Sequence, residues 1–287
     1  QYFIFIFYDN LVNLAYLWYT ILVCFSRNNF LLEVSVTSPG PIAVSIAGFD
    51  IRWYGILIAS GTLIALFISY KRAPRCGLAP DDVLDIVLGI LPIGIIGARI
   101  YYVLFNWSYY SKYPSEIINI RNGGLAIHGG LIFGFVTAYV ICRYKKIRFI
   151  DVADLILPTV ALAQAIGRWG NFFNNEAYGT ETNLPWAIII DGRSVHPTFL
   201  YESIWCLLIF ISLSYAYKHR KFPGQIACLY GLLYAPERFL VEALRTDSLM
   251  IGILKQAQVI SIVIFVASLA LYLYLRRRST LNNKYNL

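Results

Sequence analysis

Long apolar stretches alternate with short polar connections along most of the chain. Seven stretches are long enough to cross a bilayer, because a hydrocarbon core of about 30 Å requires a helix of about 20 residues. They lie at residues 53–70, 84–105, 125–142, 151–168, 199–217, 225–243 and 257–275. The pattern predicts an all-α polytopic integral membrane protein with about seven transmembrane helices.

Positive charges are distributed unevenly over the connections between these stretches. The connections on one side carry most of them: Lys71, Arg72, Arg75, Arg143, Lys145, Lys146, Arg148, Lys218, Arg220, Lys221, Arg276, Arg277 and Arg278. Those on the other side carry Lys112, Arg121, Arg193 and Lys255. The positive-inside rule places the first set in the cytoplasm. Residues 171–197, with Pro185 and Gly192 as turn formers, are then expected to form a small extracytoplasmic cap.

Composition supports a membrane protein and excludes several other classes. Of the 287 residues, 58% are hydrophobic and 14% are charged, against about 25% charged in soluble domains, and the net charge is +8. The five cysteines and three histidines have no spacing typical of a disulfide framework or a metal site. No glycine-rich phosphate loop is present. We therefore expect no metal, no nucleotide or redox cofactor, and no nucleic-acid partner.

The sequence suggests three regions. Residues 1–38 are an N-terminal extension, residues 39–278 a transmembrane domain that includes the cap, and residues 279–287 a cytoplasmic tail. Residues 1–25 are apolar and aromatic but lack the basic n-region and the small-residue cleavage site of a signal peptide. Three alternatives stay open for them: an extra span, an interfacial helix or a misassigned start.

Polar residues inside this apolar chain are concentrated at residues 167–179, at the end of the fourth predicted span. This segment reads G-R-W-G-N-F-F-N-N-E-A-Y-G and includes Arg168, Asn171, Glu176 and Gly179. A charge at the centre of a membrane helix costs about 2.5–3.5 kcal/mol on insertion scales, so an arginine held near that depth is a candidate functional residue. The alternative for Arg168 alone is a side chain that snorkels from a helix end.

Three further candidates lie near the outer ends of the first three predicted spans. Tyr54 follows Trp53, and both are also ordinary aromatic residues of a membrane interface. Arg99 follows small residues that permit close helix packing, and it too could simply snorkel. His128 precedes two glycines, which open space beside an imidazole that can act as an acid or a base near neutral pH.

The fifth and sixth predicted spans carry charged residues as well. Glu202 ends the segment H-P-T-F-L-Y-E and is most simply the partner of an arginine. Arg238, Glu242 and Arg245 have the spacing i, i+4 and i+7, which places them on one helix face. Two arginines around a glutamate suit an anion site, although a structural ladder of ion pairs has the same spacing. Asp151 and Asp154 begin the fourth span and are expected to be structural, since carboxylates favour helix N-termini.

These motifs together resemble the prolipoprotein diacylglyceryl transferase family. The matching patterns are G-R-x-G-N-F-x-N-x-E-x-x-G, H-G-G-L, H-P-S/T-x-L-Y-E, R-F-x-x-E-x-x-R, G-x-R-x-x-Y-V-L-F and W-Y-G. The resemblance begins near Pro39 and extends to about Arg278. Two places depart from the family pattern: Phe133 stands before Gly134, and residues 235–237 read A-P-E where a glycine-containing turn is expected.

The resemblance implies an enzyme of the bacterial cytoplasmic (inner) membrane with its active site open to the periplasmic side. Its substrates would be phosphatidylglycerol and the lipobox cysteine of a preprolipoprotein signal peptide, and its products a thioether and glycerol 1-phosphate. Arg168 and Arg238 would stabilise the leaving phosphate, and His128 would take the thiol proton. The other residues expected in the substrate site are Tyr54, Arg99, Asn171, Glu176, Gly179, Glu202, Glu242 and Arg245, with Gly179 allowing a tight turn in the cap.

Two other classes of protein share some of these features. A transporter of an anionic solute or lipid would also carry arginines within the membrane. Transporters usually contain inverted repeats, however, and no internal repeat is visible in this chain. A non-catalytic membrane scaffold would not require polar groups on one side of the membrane.

Overall fold

The structure is a computed structural model that describes residues 36–46, 48–120 and 123–285. The alternatives for residues 1–25 therefore lie outside the described residues. Within the described part, seven long helices coincide with the seven predicted spans. They are α1 (Trp53–Arg72), α2 (Pro80–Phe105), α4 (Ile127–Tyr144), α5 (Phe149–Gly167), α7 (Thr198–Tyr217), α8 (Gln225–Leu244) and α9 (Gln256–Tyr285). Two short helices, α3 (Trp107–Tyr110) and α6 (Trp169–Phe173), lie between them.

Six segments of the described chain are long and apolar enough to cross a membrane. They are Trp53–Cys76, Pro80–Phe105, Ile127–Tyr144, Phe149–Phe173, Thr198–Tyr217 and Gln256–Leu281. Helix α8 is not among them, and it carries Glu237, Arg238 and Glu242 in its second half. The prediction of a polytopic helical membrane protein is confirmed, while the count by apolar composition is six and not seven.

Three antiparallel hairpins accompany the helices in the part of the chain that the structure describes, and the pattern of apolar stretches did not predict them. They pair β1 (Ile42–Ile46) with β2 (Phe49–Arg52), β3 (Ile188–Ile190) with β4 (Arg193–Val195), and β5 (Met250–Ile251) with β6 (Leu254–Lys255). The β3–β4 turn is Asp191-Gly192, whose φ angles of 50° and 76° match the left-handed turn that Asp-Gly sequences favour. The cap is therefore not purely helical.

Contacts between Cα atoms divide the chain into two compact units. The first contains residues 36–61, 163–208 and 234–264 of the described chain. Its buried core consists of Phe172, Phe173, Ile188, Ile190, Val195 and Phe199. Trp53 stacks on Phe173 in this unit, with ring centroids 4.9 Å apart. This aromatic core fixes the short helix α6, which lies inside the polar segment 167–179.

The second unit contains residues 62–162, 209–233 and 265–285 of the described chain. Its core consists of Ala73, Leu78, Val83, Ile86, Ala138, Cys142, Val152 and Leu155. Lys145, after α4, lies 2.7 Å from Asp82 and 2.6 Å from Asp85 on α2. Hydrogen bonds to these two carboxylates raise the pKa of the Lys145 ammonium. The beginning of α2 and the end of α4 are thus joined by charge as well as by apolar packing.

Asp154 on α5 stabilises the beginning of α8. Its carboxylate is fully buried and accepts hydrogen bonds from the backbone N–H groups of Gly224, at 2.7 Å, and Ala227, at 2.8 Å. Arg220 Nη1 donates to the same carboxylate at 3.0 Å. The N-terminus of a helix carries unpaired N–H groups and a partial positive charge, which a carboxylate satisfies. The structural role expected for Asp154 is therefore seen here on a neighbouring helix.

Helices α2 and α4 approach closely at Gly129. A Cβ added to Gly129 would lie 2.3 Å from the carbonyl oxygen of Gly97 and 2.4 Å from Tyr101 Cβ. Backbone atoms occupy part of this space, so a side chain there must push the helices apart. Small residues permit this kind of helix contact in membrane proteins.

We expect Gly129→Ala to lower stability by about 1–3 kcal/mol, the usual cost of overpacking a closely packed contact. Gly94→Ala is the matched control in the same pair of helices, because its Cβ would lie 3.6 Å from Gly130 O, an ordinary contact distance. Thermal midpoints of the two variants in detergent, measured beside the parent protein, check this. Equal midpoints for the two variants would contradict the expected clash.

Candidate active site

Four charged side chains of the first unit, from the α5–α6 junction, α7 and α8, form a continuous chain of ion pairs. Arg168 Nε lies 2.5 Å from one oxygen of Glu202, and Arg238 Nη1 lies 2.5 Å from the other. Arg238 Nη2 lies 2.7 Å from Glu242 Oε2, a contact that is short enough for an ion pair but lacks the alignment of a hydrogen bond. The structure thus brings together four of the residues that the sequence predicted for the site.

The two kinds of charge differ in exposure. The side chains of Glu202 and Glu242 are 4% and 5% exposed, whereas those of Arg168 and Arg238 are 21% and 16% exposed. The carboxylates are therefore more deeply buried than the arginine side chains that they hold. Guanidinium groups held in this way can bind an anion through paired hydrogen bonds.

The junction between α5 and α6 places Arg168 beside Glu202. Arg168 is the single residue between these two helices. Trp169 Nε1 donates to Ser203 Oγ at 3.1 Å, and Ser203 Oγ donates to the carbonyl oxygen of Ala165 at 2.7 Å. Ser203 follows Glu202 on α7. Its two hydrogen bonds therefore attach the end of α5 and the beginning of α6 to α7, next to the ion pair between Arg168 and Glu202.

Arg245 departs from the arrangement expected along α8. The ion pair between Arg238 and Glu242 confirms that they share a helix face, but α8 ends at Leu244 and Arg245 lies just beyond it. Arg245 donates to both oxygens of Asp247, at 3.0 and 2.9 Å, and its Nε is 3.9 Å from Glu242. Hydrogen bonds from Arg245 lower the pKa of the Asp247 carboxyl. Asp247 is a partner that the sequence analysis missed.

Lys255 binds the end of α8. Its Nζ donates to the carbonyl oxygens of Glu242 at 2.9 Å, Ala243 at 3.2 Å and Arg245 at 2.5 Å. The last carbonyl groups of a helix have no partner within the helix and carry a partial negative charge, which a lysine satisfies. Lys255 therefore fixes the helix end that carries Glu242, and the sequence analysis assigned it no role beyond its charge.

Asn171 and Glu176 determine the shape of the polar segment. The side-chain amides of Asn171 and Asn174 donate to Glu176 Oε1, at 3.0 and 3.2 Å. The backbone N–H of Glu176 donates to the carbonyl oxygen of Asn171 at 3.0 Å. Glu176 thus closes the loop that follows α6.

Gly179 is required for a reason other than the turn that we expected. The residues with positive φ in this loop are Asn175, at 52°, and Ala177, at 59°. Gly179 instead lies against other chain segments: an added Cβ would be 2.7 Å from His196 Cβ and 3.3 Å from Leu244 O. Its N–H also donates to the carbonyl oxygen of His196 at 3.0 Å. Close backbone approach, and not a tight turn, explains the glycine.

Tyr54 lies against the same polar segment. Its ring covers Gly170, where an added Cβ would be 2.3 Å from Tyr54 Cδ2. The Tyr54 residue is 39% exposed. The ring is thus held by α6 while part of the side chain stays accessible.

Arg99 lies in the second unit, where it organises a loop. The residue is 8% exposed, and all five of its N–H groups donate to backbone carbonyl oxygens at 2.6–2.9 Å. These belong to Glu116, Ile117, Asn119, Gly123 and Gly124. An anion could bind this guanidinium only by displacing a carbonyl group. The contacts therefore favour an indirect role for Arg99, through the loop that leads to α4.

His128 is the second residue of α4 and also belongs to the second unit. It is partly buried, and its ring centroid lies 6.2 Å from that of Tyr101 on α2. The contact of Gly129 with Gly97 fixes the backbone next to the imidazole. His128 thus lies at a helix start as predicted, but the glycines after it permit the approach of α2 and do not open space beside the imidazole.

Comparison with known proteins gives the same family as the motifs. The family model described as prolipoprotein diacylglyceryl transferase matches residues 41–274. The chain belongs to this family. Curated relatives named phosphatidylglycerol–prolipoprotein diacylglyceryl transferase include those of Finegoldia magna and Clostridioides difficile, 52% and 51% identical over 238 and 241 residues. These alignments cover 83% and 84% of this chain and 96% and 97% of the relatives. The Clostridium novyi relative is 45% identical over 254 residues.

Membership of the prolipoprotein diacylglyceryl transferase family decides between the classes that the sequence left open. The chain is a multi-pass membrane transferase of lipoprotein biosynthesis. The transporter and the scaffold are therefore rejected. The ion pairs around Glu202 therefore belong to an enzyme.

Glu237 is a further residue near the ion pairs for which the sequence predicted no role. It stands where the family pattern led us to expect a glycine-containing turn, directly before Arg238. In the structure it is 6% exposed and interacts electrostatically with Glu202, Arg168 and Arg238. Its position next to the family motif R-F-x-x-E-x-x-R was the available signal, but only the structure shows its burial.

Proposed function

We propose that this chain transfers the diacylglyceryl group of phosphatidylglycerol to the thiol of a lipobox cysteine in a preprolipoprotein. The observation that carries the proposal is the pair of partly exposed arginine side chains, Arg168 and Arg238, that contact the two oxygens of the buried Glu202 carboxylate. They suit a phosphodiester that must be bound and then released as a phosphate monoester. The names of the relatives supply the two substrate classes.

The reaction forms a bond from the cysteine sulfur to the carbon of the diacylglyceryl group that carries the phosphate. The bond from that carbon to the phosphate oxygen breaks, and its electron pair stays on the oxygen of glycerol 1-phosphate. Negative charge on the phosphate grows during this step, so guanidinium groups fixed beside it lower the barrier. Arg168 and Arg238 have this role in the proposal.

The thiol also has to lose its proton. A cysteine with a pKa of about 8.5 is only a few per cent thiolate at pH 7, so a proton acceptor or a positive field is needed. The family resemblance assigns the proton to His128. In this proposal the imidazole accepts the thiol proton, and the arginines stabilise the phosphate in a separate role.

The remaining predicted residues have supporting roles in this proposal. Glu202 and Glu242 hold the two arginines, and Arg245 with Asp247 follows at the end of α8. Asn171, Glu176 and Gly179 shape the polar segment, while Tyr54 reaches the headgroup or orients Arg168. Arg99 acts indirectly, because its guanidinium fixes the loop of residues 116–124 by hydrogen bonds to backbone carbonyl oxygens.

A transfer assay with the purified full chain tests the function. Phosphatidylglycerol labelled in its acyl chains is supplied in detergent micelles together with a peptide that contains a lipobox cysteine. Labelled peptide with the mass of an added diacylglyceryl group is expected, and a peptide with serine in place of the cysteine is the control. Absence of lipidated cysteine peptide from a folded preparation would reject the proposal.

The proposal includes an orientation with the cap on the outer face of the cytoplasmic membrane. Asn183 in the cap and Lys221 between α7 and α8 are both exposed. After cysteine substitution, a membrane-impermeant thiol reagent should label position 183 in intact cells and position 221 only after lysis. The parent chain, with its native cysteines, provides the background. The reverse pattern would place the cap in the cytoplasm.

A further inference from the structure

Glu237 is a buried carboxyl group without a hydrogen-bond partner. The residue is 6% exposed, and neither carboxyl oxygen has a hydrogen-bond partner in the part of the chain that the structure describes. Buried polar side chains are normally hydrogen-bonded, and an unpartnered buried carboxylate is among the most costly groups in a protein. Such a group in an enzyme requires an explanation from its ligand or from its protonation state.

Charged and titratable groups on three elements interact electrostatically with Glu237. They are Arg168 at the α5–α6 junction, Glu202 and Cys206 on α7, and Arg238 next to it on α8. Tyr234, one turn earlier on α8, interacts with the same groups. Glu237 thus belongs to the cluster that we assign to the phosphate.

The charges around Glu237 already balance without it. Arg168 and Arg238 supply two positive charges, and Glu202 and Glu242 supply two negative charges through the ion pairs described above. An ionised Glu237 would add a third carboxylate to this buried group with no cation of its own. It would also repel the phosphate that the two arginines are placed to bind. Both effects favour the neutral acid.

We propose that Glu237 is held as a neutral carboxylic acid and forms part of the phosphate-binding site, where its O–H donates a hydrogen bond to a non-bridging oxygen of the phosphodiester. This inference rests on the proposed function, because it takes phosphatidylglycerol as the ligand. A carboxylic acid kept neutral by a buried environment is a known type of hydrogen-bond donor in enzymes.

A neutral donor has a particular advantage at this position. It adds a hydrogen bond to the phosphate without a further positive charge that would require another buried carboxylate. The bond strengthens as the phosphate gains negative charge during release of the leaving group, since hydrogen bonds to charged acceptors are the stronger ones. Glu237 should therefore contribute to kcat as well as to the KM for the phospholipid.

Two substitutions of similar length separate the neutral donor from a charged base. Glu237→Gln keeps a donor and removes the ability to ionise, whereas Glu237→Met removes both. The transfer assay is run with phosphatidylglycerol varied in mixed micelles and the lipobox peptide held constant. Glu181→Gln is the control, because the Glu181 side chain is 70% exposed on the cap.

We expect Glu237→Gln to keep kcat/KM within about threefold of the parent, and Glu237→Met to lose at least about tenfold, the effect of one hydrogen bond to a charged group. The ratio of kcat/KM for Glu237→Gln to kcat/KM for Glu237→Met tests the role of the neutral donor. A ratio above about three supports the proposal, and a smaller ratio overturns it. Thermal midpoints and gel filtration ensure that only folded protein is compared.

Infrared difference spectroscopy gives a readout that does not depend on catalysis. The resting parent protein should show the C=O stretch of a protonated carboxyl group that is absent from Glu237→Gln. Identical spectra for the two proteins would overturn the neutral acid. If the parent chain itself transfers no diacylglyceryl group while this band is present, the proposed function fails and the protonation state of Glu237 stands.

Discussion

Replacement of Arg168 by lysine should abolish diacylglyceryl transfer almost as completely as replacement by alanine. Arg168 contacts Glu202 most closely through Nε, at 2.5 Å. The planar guanidinium has two further nitrogens that can approach a phosphate while Nε holds the carboxylate. A lysine has one ammonium at the end of a flexible stem and cannot reproduce this two-sided contact.

The expected loss for Arg168→Ala is at least about 10²–10³-fold in kcat, the effect of removing one donor that stabilises developing negative charge. Arg168→Lys should fall within about tenfold of the alanine variant. Initial rates at saturating phosphatidylglycerol measure this. Arg193→Lys is the matched control, because the Arg193 side chain is 72% exposed on the cap, and it should leave the rate unchanged. Full activity of Arg168→Lys would show that position 168 requires only a positive charge.

The positions of six of the seven long helices were predictable because each contains enough apolar residues to be recognised without tertiary information, while α8 is less apolar than a membrane span. The differences lie at the ends. Helix α2 begins at Pro80 and not at residue 84, since Pro80 and the acidic residues Asp81 and Asp82 are favourable in a first helical turn but are not apolar. Helix α9 continues to Tyr285 through the basic segment 276–278. These arginines are not apolar, but arginine has a high helix propensity, so the helix extends beyond the apolar stretch.

The hairpins were missed for a different physical reason. Their strands have two to five residues, too short to produce a recognisable pattern beside apolar segments of about 20 residues. Asp191-Gly192 is a typical hairpin turn and was the clearest available signal. Turn formers alone predict a loop here, because they do not show which flanking residues pair as strands.

In the candidate site, contacts within one helix could be predicted from residue spacing, whereas contacts between distant parts of the chain could not. The separation of Arg238 and Glu242 by four residues predicts their contact on one helix face, and the contact is seen. No spacing rule connects Arg168 with Glu202, because they meet through the packing of different helices, or Lys255 with the end of α8, because the β5–β6 hairpin brings them together. The resemblance to the family identified Arg168 and Glu202 as members of one site, and the structure adds their partnership.

Arg99 shows why a motif alone does not define a role. The family resemblance placed Arg99 in the substrate site, and a side chain that snorkels from the end of a predicted span was the alternative. Five backbone carbonyl oxygens occupy its N–H groups, and they come from a loop 17–25 residues farther along the chain. Hydrogen bonds between a side chain and a distant loop leave no periodic trace in a sequence. The role of Arg99 in substrate binding stays a prediction, and the contacts favour an indirect one.

His128→Gln should reduce the chemical step by about 10²–10⁴-fold, the usual contribution of a positioned proton acceptor. Glutamine keeps a polar side chain of similar reach at the start of α4 but cannot accept the thiol proton. Binding of phosphatidylglycerol should be almost unchanged, because the arginines and the carboxylates that hold them are intact. His219→Gln is the matched control, since His219 is exposed after α7 and has no proposed role.

The pH dependence distinguishes this role from a purely structural one. As the pH rises towards the cysteine pKa of about 8.5, more of the peptide becomes thiolate without help, so the variant should recover part of its loss. If the arginines alone lower the pKa of the thiol and His128 only shapes its surroundings, the ratio of parent to variant rates stays constant. Rates at saturating lipid between about pH 6.5 and 9 cover the reference pKa values of histidine and cysteine. A ratio that falls with pH over this range supports proton transfer to His128, and a constant ratio leaves thiol activation to the positive field of Arg168 and Arg238.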